Sequence, residues 1–350
     1  MKINKQNPVM VTGATGYVAG VLVKRLLEEG ITVHAPIRNT QNSKKLNDLI
    51  ALAEKSEGDI KFFEANLLQE GSYTAAMQGC EIVIHTASPF IMNTKNPSKD
   101  LIEPALEGTK NILHSANQIT SVKRIILTSS CVAIAGDNAD IKQSPQDIFT
   151  ESDWNQTSSL HHQAYSFSKT LAEKAAWNIY RNQSRWKLIV LNPSAVFGPG
   201  LKLHLQSESF NTIRQMGDGT MKMGAPKWGL GVVDVRDLAD AHIKAAFMAN
   251  ATGRYIISGH NTTLFDLAQT LIPKYGNQYP LPRKPLPKWL LWLIGPLANK
   301  ALSRKMIARN VNVPWNGDNN KSKRDLNMHY RPLQQTMEDF FQQLLDHKVL

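Results

Sequence analysis

The chain has 350 residues, 42% of them hydrophobic and 20% charged, and a formal net charge of +11. That length suits one large domain with a smaller dependent lobe, and the composition suits a folded, soluble protein rather than a long disordered one. Its two cysteines, Cys80 and Cys131, form no CxxC pair, which argues against a disulfide framework or a cysteine zinc site and for a reducing, cytoplasmic location. The polar opening MKINKQNPVM lacks the apolar stretch of a secretory signal. The longest apolar run, 289–298, is interrupted by Gly295-Pro296 and reaches half of the roughly twenty residues a bilayer span takes, so no membrane span is expected. Basic residues are spread along the chain, with modest enrichment over 283–309 and 321–324. No basic helix with interleaved aromatics and no finger or helix-turn-helix pattern accompanies them, so nucleic acid is not an expected partner.

From the start of the chain, short β-branched runs alternate with segments of helical periodicity. Strands are expected at 9–12, 32–35, 60–63, 82–86, 124–129 and 188–191, with helices over 18–29, 101–116 and 164–180 between them. This is the pattern of parallel βαβ units, and it predicts an α/β fold: a doubly wound parallel sheet of the Rossmann kind over 1–197. After Gly198 the alternation weakens and Pro and Gly become frequent. Residues 198–350 are therefore read mainly as a substrate-binding lobe with C-terminal helices, with a segment near 228–250 returning to the first domain. No internal repeat supports a solenoid.

The segment TGATGYVAG, 12–20, follows the first strand and opens the first helix. Gly13 and Gly16 permit a tight turn and close approach of backbone to a pyrophosphate, and the helix N-terminus offers free N-H groups and a positive dipole end. The spacing is GxxGxxA rather than GxGxxG, so close packing falls to Ala19. The second strand discriminates between cofactors. No acidic residue lies between Glu29 and Asp48, whereas Arg38, Lys44 and Lys45 do, and cations there favour the 2′-phosphate of NADP(H).

The catalytic candidate is YSFSK, in which Tyr165 and Lys169 share one face of a helix. Moving a phenol from a pKa near 10 to about 7 takes roughly 4 kcal/mol of differential stabilisation. A nearby ammonium supplies part of it, and a hydroxyl at the preceding strand end, from Ser129 or Ser130, completes the arrangement.

Taken in order, VTGATGYVAG, TVHAPIRN, HTASP, LTSSCVAIAG, YSFSKTLAEKAAW and LNPSAVFGPG closely resemble the extended short-chain dehydrogenases, in the dihydroflavonol reductase-like and aldehyde/ketone reductase branch, from Val9 to about Tyr255. The resemblance implies Tyr165 as the acid, Lys169 as the residue that lowers its pKa and holds the nicotinamide ribose, and Ser130 rather than Ser129 as the hydroxyl on the substrate carbonyl. It implies Arg38 and Lys45 at the 2′-phosphate, Asn66 and Leu67 at the adenine, Thr86 and Ala87 along the dinucleotide and Pro193 at the nicotinamide, with Ser88 and Val196 also in the cofactor site. Thr15, Tyr17, Val18 and Thr128 join Gly13 and Gly16 in the implied cofactor site.

Two departures stand out: Asn66 replaces the family's common Asp, and Ala135 replaces a polar residue that contacts the flavonoid in plant dihydroflavonol reductases. A small aldehyde or ketone is thus the expected substrate. His85, His161 and His162 have no ligand spacing, and no metal is expected. Cys131 is read as a small packing residue, and Asp234 or Asp237 as a helix cap. KWLLWLIGPLANKALSRK is read as a helix closing over the substrate, with a membrane-surface helix as the alternative. The helices over 101–116 and 164–180 are candidates for pairing in a homodimer. Competing functions are a nucleotide-sugar epimerase or dehydratase, a membrane-associated hydroxysteroid dehydrogenase and a non-catalytic NADP sensor.

Overall fold

The computed structural model describes residues 5–41, 43–88, 94, 96–298 and 302–350. Its first half alternates as the pattern requires: β1 (Val9–Thr12), α1 (Tyr17–Glu28), β2 (Val33–Ile37), α2 (Ser43–Ala53), β3 (Ile60–Glu64), the short α3 (Thr74–Met77), β4 (Ile82–His85), α4 (Glu103–Gln118), β5 (Arg124–Thr128), α5 (Ala164–Arg181) and β6 (Lys187–Pro193). The second half runs through β7 (Ala195–Phe197), α6 (Glu208–Gly217), β8 (Ala225–Pro226), β9 (Gly229–Asp234), α7 (Val235–Phe247), β10 (Gly253–Ile257) and β11 (His260–Thr263). It then continues through α8 (Leu264–Gln269), α9 (Ile272–Tyr275), β12 (Pro285–Leu286), α10 (Lys288–Ala298), α11 (Arg304–Asn310), α12 (Asn320–Asp325) and α13 (Leu333–Asp346).

Seven strands form one parallel sheet in the order β10-β6-β5-β4-β1-β2-β3. Successive side chains point to opposite faces, and both faces are buried. Val9, Val11, Ile82, Ile84, Ile189 and Leu191 join the α1 and α7 side, while Met10, Val83, Leu188 and Val190 join the α4 and α5 side. This double burial is why the strands read as continuous apolar runs rather than alternating ones.

The seventh strand, Gly253–Ile257, lies beyond the segment expected to return near 228–250. Arg124 at the start of β5 donates to the carbonyls of Ala245, Ala246 and Met248 at 2.7 to 3.2 Å, meeting acceptors that the end of α7 would otherwise leave open. Asp234 caps the N-terminus of α7, accepting from the Arg236 N-H at 2.8 Å, and Asp237 accepts from the Arg331 N-H at 2.8 Å, so both carboxylates serve structure.

A third core lies apart from the sheet. Phe210 and Ile213 of α6, Leu267 of α8 and Met337, Phe340, Phe341 and Leu344 of α13 fill it, with Phe197 and Val232 from the small sheet β11-β9-β7. Each such side chain contributes about 1.5–3 kcal/mol by leaving water. Along the main sheet the strand order reverses between β1 and β4, so the connections leaving those strands diverge and open a crevice at their C-terminal ends.

Candidate active site

The crevice is built first from backbone. Gly13 follows β1 at φ +71°, and a Cβ there would sit 3.2 Å from both the Ala87 Cα and the Thr86 Oγ1. A Cβ on Gly16 would meet the Gly13 carbonyl at 3.1 Å. Gly16 is the N-cap of α1 and brings no side chain to its first N-H groups, which leaves a dipole end and open donors facing the crevice.

Thr12 fixes the opposite wall. Its hydroxyl accepts from the N-H groups of Thr86 and Ala87, both at 3.1 Å, and so uses both lone pairs. Towards His85 Nδ1, at 2.8 Å, it can only donate. His85 is correspondingly held neutral, its pKa lowered to about 3 by burial and by the Lys169 charge. Because the Thr86 N-H turns to Thr12, β4 ends at His85, one residue before the expected boundary.

Around this cradle, Arg38 is exposed just past β2. The side chain of Lys45 lies outside the described residues. Asn66 is exposed, and its side-chain carbonyl accepts from the Leu68 N-H at 3.1 Å; Leu67 packs against Gly108, where any Cβ would overlap it. Thr15, Val18, Ala87 and Ser88 are half-buried. Tyr17 points elsewhere: its hydroxyl donates to the Gly198 carbonyl at 2.5 Å, and its ring packs on Phe210 and Phe340 in the third core. Only its backbone faces the cradle turn.

The second half of the site is α5. Its N-cap, Gln163, adopts the left-handed conformation at φ 55°, placing Tyr165 in the first turn and Lys169 one turn later. Lys169 is 7% exposed and its Nζ donates to the Thr128 carbonyl at 3.4 Å, at the end of β5. Burial lowers its pKa to about 8 against the opposing pull of Glu173. Burial raises the Tyr165 phenol above its ordinary value, so it stays protonated. The Thr128 hydroxyl is paired with His242 Nε2 at 2.7 Å, leaving the carbonyl as its contribution here.

The serine pair separates by direction. Ser129 is buried and donates to Glu173 at 2.5 Å, whereas Ser130 is half-buried, bonds the Pro193 carbonyl at 3.5 Å and caps the 3-10 turn at Cys131–Ala133, against which α5 packs. Cys131 is buried, raised in pKa by burial, and donates to the Asn192 carbonyl at 3.1 Å. Pro193 is buried at the end of β6 and Val196 is half-buried in β7. Ala135 is buried in a small cluster with Phe149 and Trp315.

Two polar clusters escaped sequence reasoning. Glu173, fully buried, accepts from Ser129, from Asn192 Nδ2 at 2.8 Å and from Arg254 Nε at 2.6 Å, so a β10 residue holds the rear of α5. At its front, Asp137 accepts from Gln163 Nε2 at 2.6 Å, Arg309 Nε at 2.6 Å and Asn310 Nδ2 at 2.7 Å, and pairs with His162 at 2.9 Å. Although burial raises its pKa, the bonds from His162, Asn310 and Arg309 hold the carboxyl below the usual range. The only hint in the sequence was Glu173 four residues after Lys169, a spacing common on solvated helices.

A parallel sheet whose strand order reverses, a glycine cradle at its switch point, and a half-buried tyrosine with a buried lysine on the flanking helix together define a dinucleotide-binding α/β protein. More narrowly, this chain belongs to the NAD dependent epimerase/dehydratase family, which matches it over residues 9–257. It is 40% identical over 260 residues to a cinnamoyl-CoA reductase of Medicago truncatula, covering 73% of this chain and 76% of the relative. An anthocyanidin reductase of Arabidopsis thaliana is 35% identical, with 76% and 79% covered. Among solved structures, yeast methylglyoxal/isovaleraldehyde reductase Gre2 complexed with NADPH superposes with a TM-score of 0.78 at 27% identity, covering 98% of this chain and 99% of that one.

Proposed function

We propose that this chain, an NADP(H)-dependent oxidoreductase, reduces the carbonyl of a small organic aldehyde or ketone, with Tyr165 as proton donor. The observation that carries this reading is the pairing on α5 of a phenol kept protonated by burial with a buried lysine one turn away.

The cradle fits a dinucleotide: Gly13, at a positive φ, and Gly16 allow the tight turn against the end of β4, and the start of α1 offers uncapped donors to a pyrophosphate. Arg38, exposed beyond β2, meets the 2′-phosphate with a planar fork of donors. When bound, the reduced nicotinamide supplies the hydride. Lys169 donates to the adjoining ribose and places positive charge beside the phenol. Ser130, the serine of the pair not committed to Glu173, orients the carbonyl oxygen. Tyr165 gives its proton to that oxygen as negative charge develops there, so the carbonyl becomes an alcohol and the tyrosine is left as phenolate, relieved by Lys169. The lobe formed by α6, α8, α10, α11 and α13 covers this side of the sheet, excludes water and selects the substrate.

The relatives favour reduction: they are a cinnamoyl-CoA reductase, an anthocyanidin reductase and a methylglyoxal/isovaleraldehyde reductase. The test is loss of NADPH absorbance, with NADH in parallel, across aliphatic aldehydes, diketones, aromatic ketones, a sterol ketone and a dihydroflavonol. Turnover of small carbonyls with NADPH is expected. Tight NADPH binding without turnover of any of them would sink the proposal.

A further inference from the structure

Helix α10 has the sequence KWLLWLIGPLA, with scarcely a polar residue after the first. A helix apolar all round must be covered on every side, yet only one side of this one is. Gly295 is buried against α11, where an added Cβ would lie 3.1 Å from Ile307 Cδ1. On the opposite side Trp289 is 66% exposed, Trp292 40%, Leu293 47% and Leu297 86%, at the i, i+3, i+4, i+8 spacing of a single face, with Ile294 at 49% on its border. These are five of the nine exposed large apolar side chains among the described residues, gathered within nine positions.

The rim of that face has one sign of charge. The Arg304 guanidinium lies 4.5 Å from the centre of the Trp292 ring, Lys305 is exposed beside it, and Lys288 stands at the start of the helix. Between Asp266 and Asp318 the sequence contains no acidic residue at all. No helix among the described residues is long and apolar enough to cross a membrane.

We propose that the outer face of α10 docks the protein on the surface of an anionic lipid bilayer, with Trp289, Trp292, Leu293 and Leu297 in the headgroup layer and Arg304 and Lys305 on the lipid phosphates. Three features select lipid over protein. Tryptophan is the side chain best suited to the boundary between water and hydrocarbon, with an apolar body and a polar edge. The cations flank the apolar stripe as in interfacial helices that lie in the membrane plane. A second copy of the same face would bring Arg304 and Lys305 to both sides of the contact, with no carboxylate between 266 and 318 in sequence to offset them, at a cost in like-charge repulsion. The inference stands apart from the proposed chemistry.

The full chain is to be sedimented with vesicles of phosphatidylcholine alone and of phosphatidylcholine mixed with phosphatidylglycerol, at low and high salt. Two cations near the surface lead to about thirtyfold stronger partitioning onto the anionic vesicles, and added salt weakens it. Replacing Arg304→Gln with Lys305→Gln abolishes the preference; Trp289→Ser with Leu297→Ser abolishes binding to both vesicles while NADPH affinity and melting temperature stay unchanged. Equal, weak partitioning onto both vesicles by the unaltered chain overturns the proposal. So does a dimer, seen by light scattering, that Trp289→Ser dissociates, which would make a second copy the occupant. A raised KM for carbonyls in the Trp289→Ser, Leu297→Ser chain without vesicle binding by the unaltered one would assign the face to the substrate pocket instead.

Discussion

The glycine turn after β1 and the Asp137 cluster before α5 flank the same site and are built on opposite principles. The turn consists of backbone drawn from one short stretch, and the side-chain ties at its base, from the hydroxyls of Thr12 and Thr86, cross only between neighbouring strands. Asp137 instead gathers side chains from His162 and Gln163 and, across more than 170 positions, from Arg309 and Asn310 of α11. The first is spoiled by adding an atom and the second by removing one. The proposed dinucleotide cradle thus depends little on side chains, while the link from the lobe to α5 rests on side chains drawn from distant parts of the chain.

Between the two lies Tyr165, and the largest expected effect is there. Tyr165→Phe should lower kcat by about a hundredfold to ten-thousandfold while a fluorescence titration shows NADPH binding nearly unchanged; a parallel loss of binding would make the residue structural. Next comes pH. His85 and His242 are held neutral, with pKa values lowered by burial to about 3 and about 4, against about 6.5 in the unfolded chain. The unfolded state therefore binds more protons below that value, so their contribution is complete above pH 6.5 and declines as pH falls towards 4. Each ring should cost about 2 kcal/mol at pH 5 relative to pH 7, visible as a lower urea midpoint. An unchanged midpoint would mean that His85 is charged in the fold and that Thr12 does not donate to it.

The contrast itself is tested by a pair of variants. Asp137→Ala strands Arg309, Asn310 and Gln163 and should cost about 2–3 kcal/mol of stability and lower kcat more than it raises the KM for NADPH. Gly13→Ala places a side chain at a positive φ for about 1–2 kcal/mol and should do the reverse, raising the NADPH KM with kcat preserved. Identical kinetic signatures would erase the distinction between cradle and seam. Smallest is Arg38→Gln, expected to weaken NADPH by about tenfold and leave NADH unaffected in a matched KM comparison.

What the sequence disclosed follows the same division. β1 to β6 and the helices α1, α4 and α5 fall within a few residues of their expected bounds because each is written in local periodicity and closed by local turn chemistry. The cradle and the YSFSK helix were legible for that reason. Ser129 and Ser130 are chemically identical neighbours, and only burial directions separate them. β10, GRYII, carries too short a signal to announce itself as the sheet's seventh strand; its place is fixed by β6, which it pairs residue for residue. Nothing in single-residue chemistry marks Glu173 as the partner of Arg254, or Asp137 as that of Arg309, since the pairing exists only after the chain has closed on itself.

That late closure bears on how the protein is made. β6 ends at Pro193 and its outer neighbour begins at Gly253, so about sixty residues emerge between them. At a ribosomal pace of about 5–20 residues per second, β6 stands as a bare, apolar edge for roughly 3–12 seconds, with Glu173 already facing inward and Arg254 not yet synthesised. Such an edge invites pairing with another nascent chain. Slowing translation through this stretch, or withdrawing the chaperones that shelter open strands, would divert the product to aggregates although Gly13, Tyr165 and Lys169 had already been synthesised.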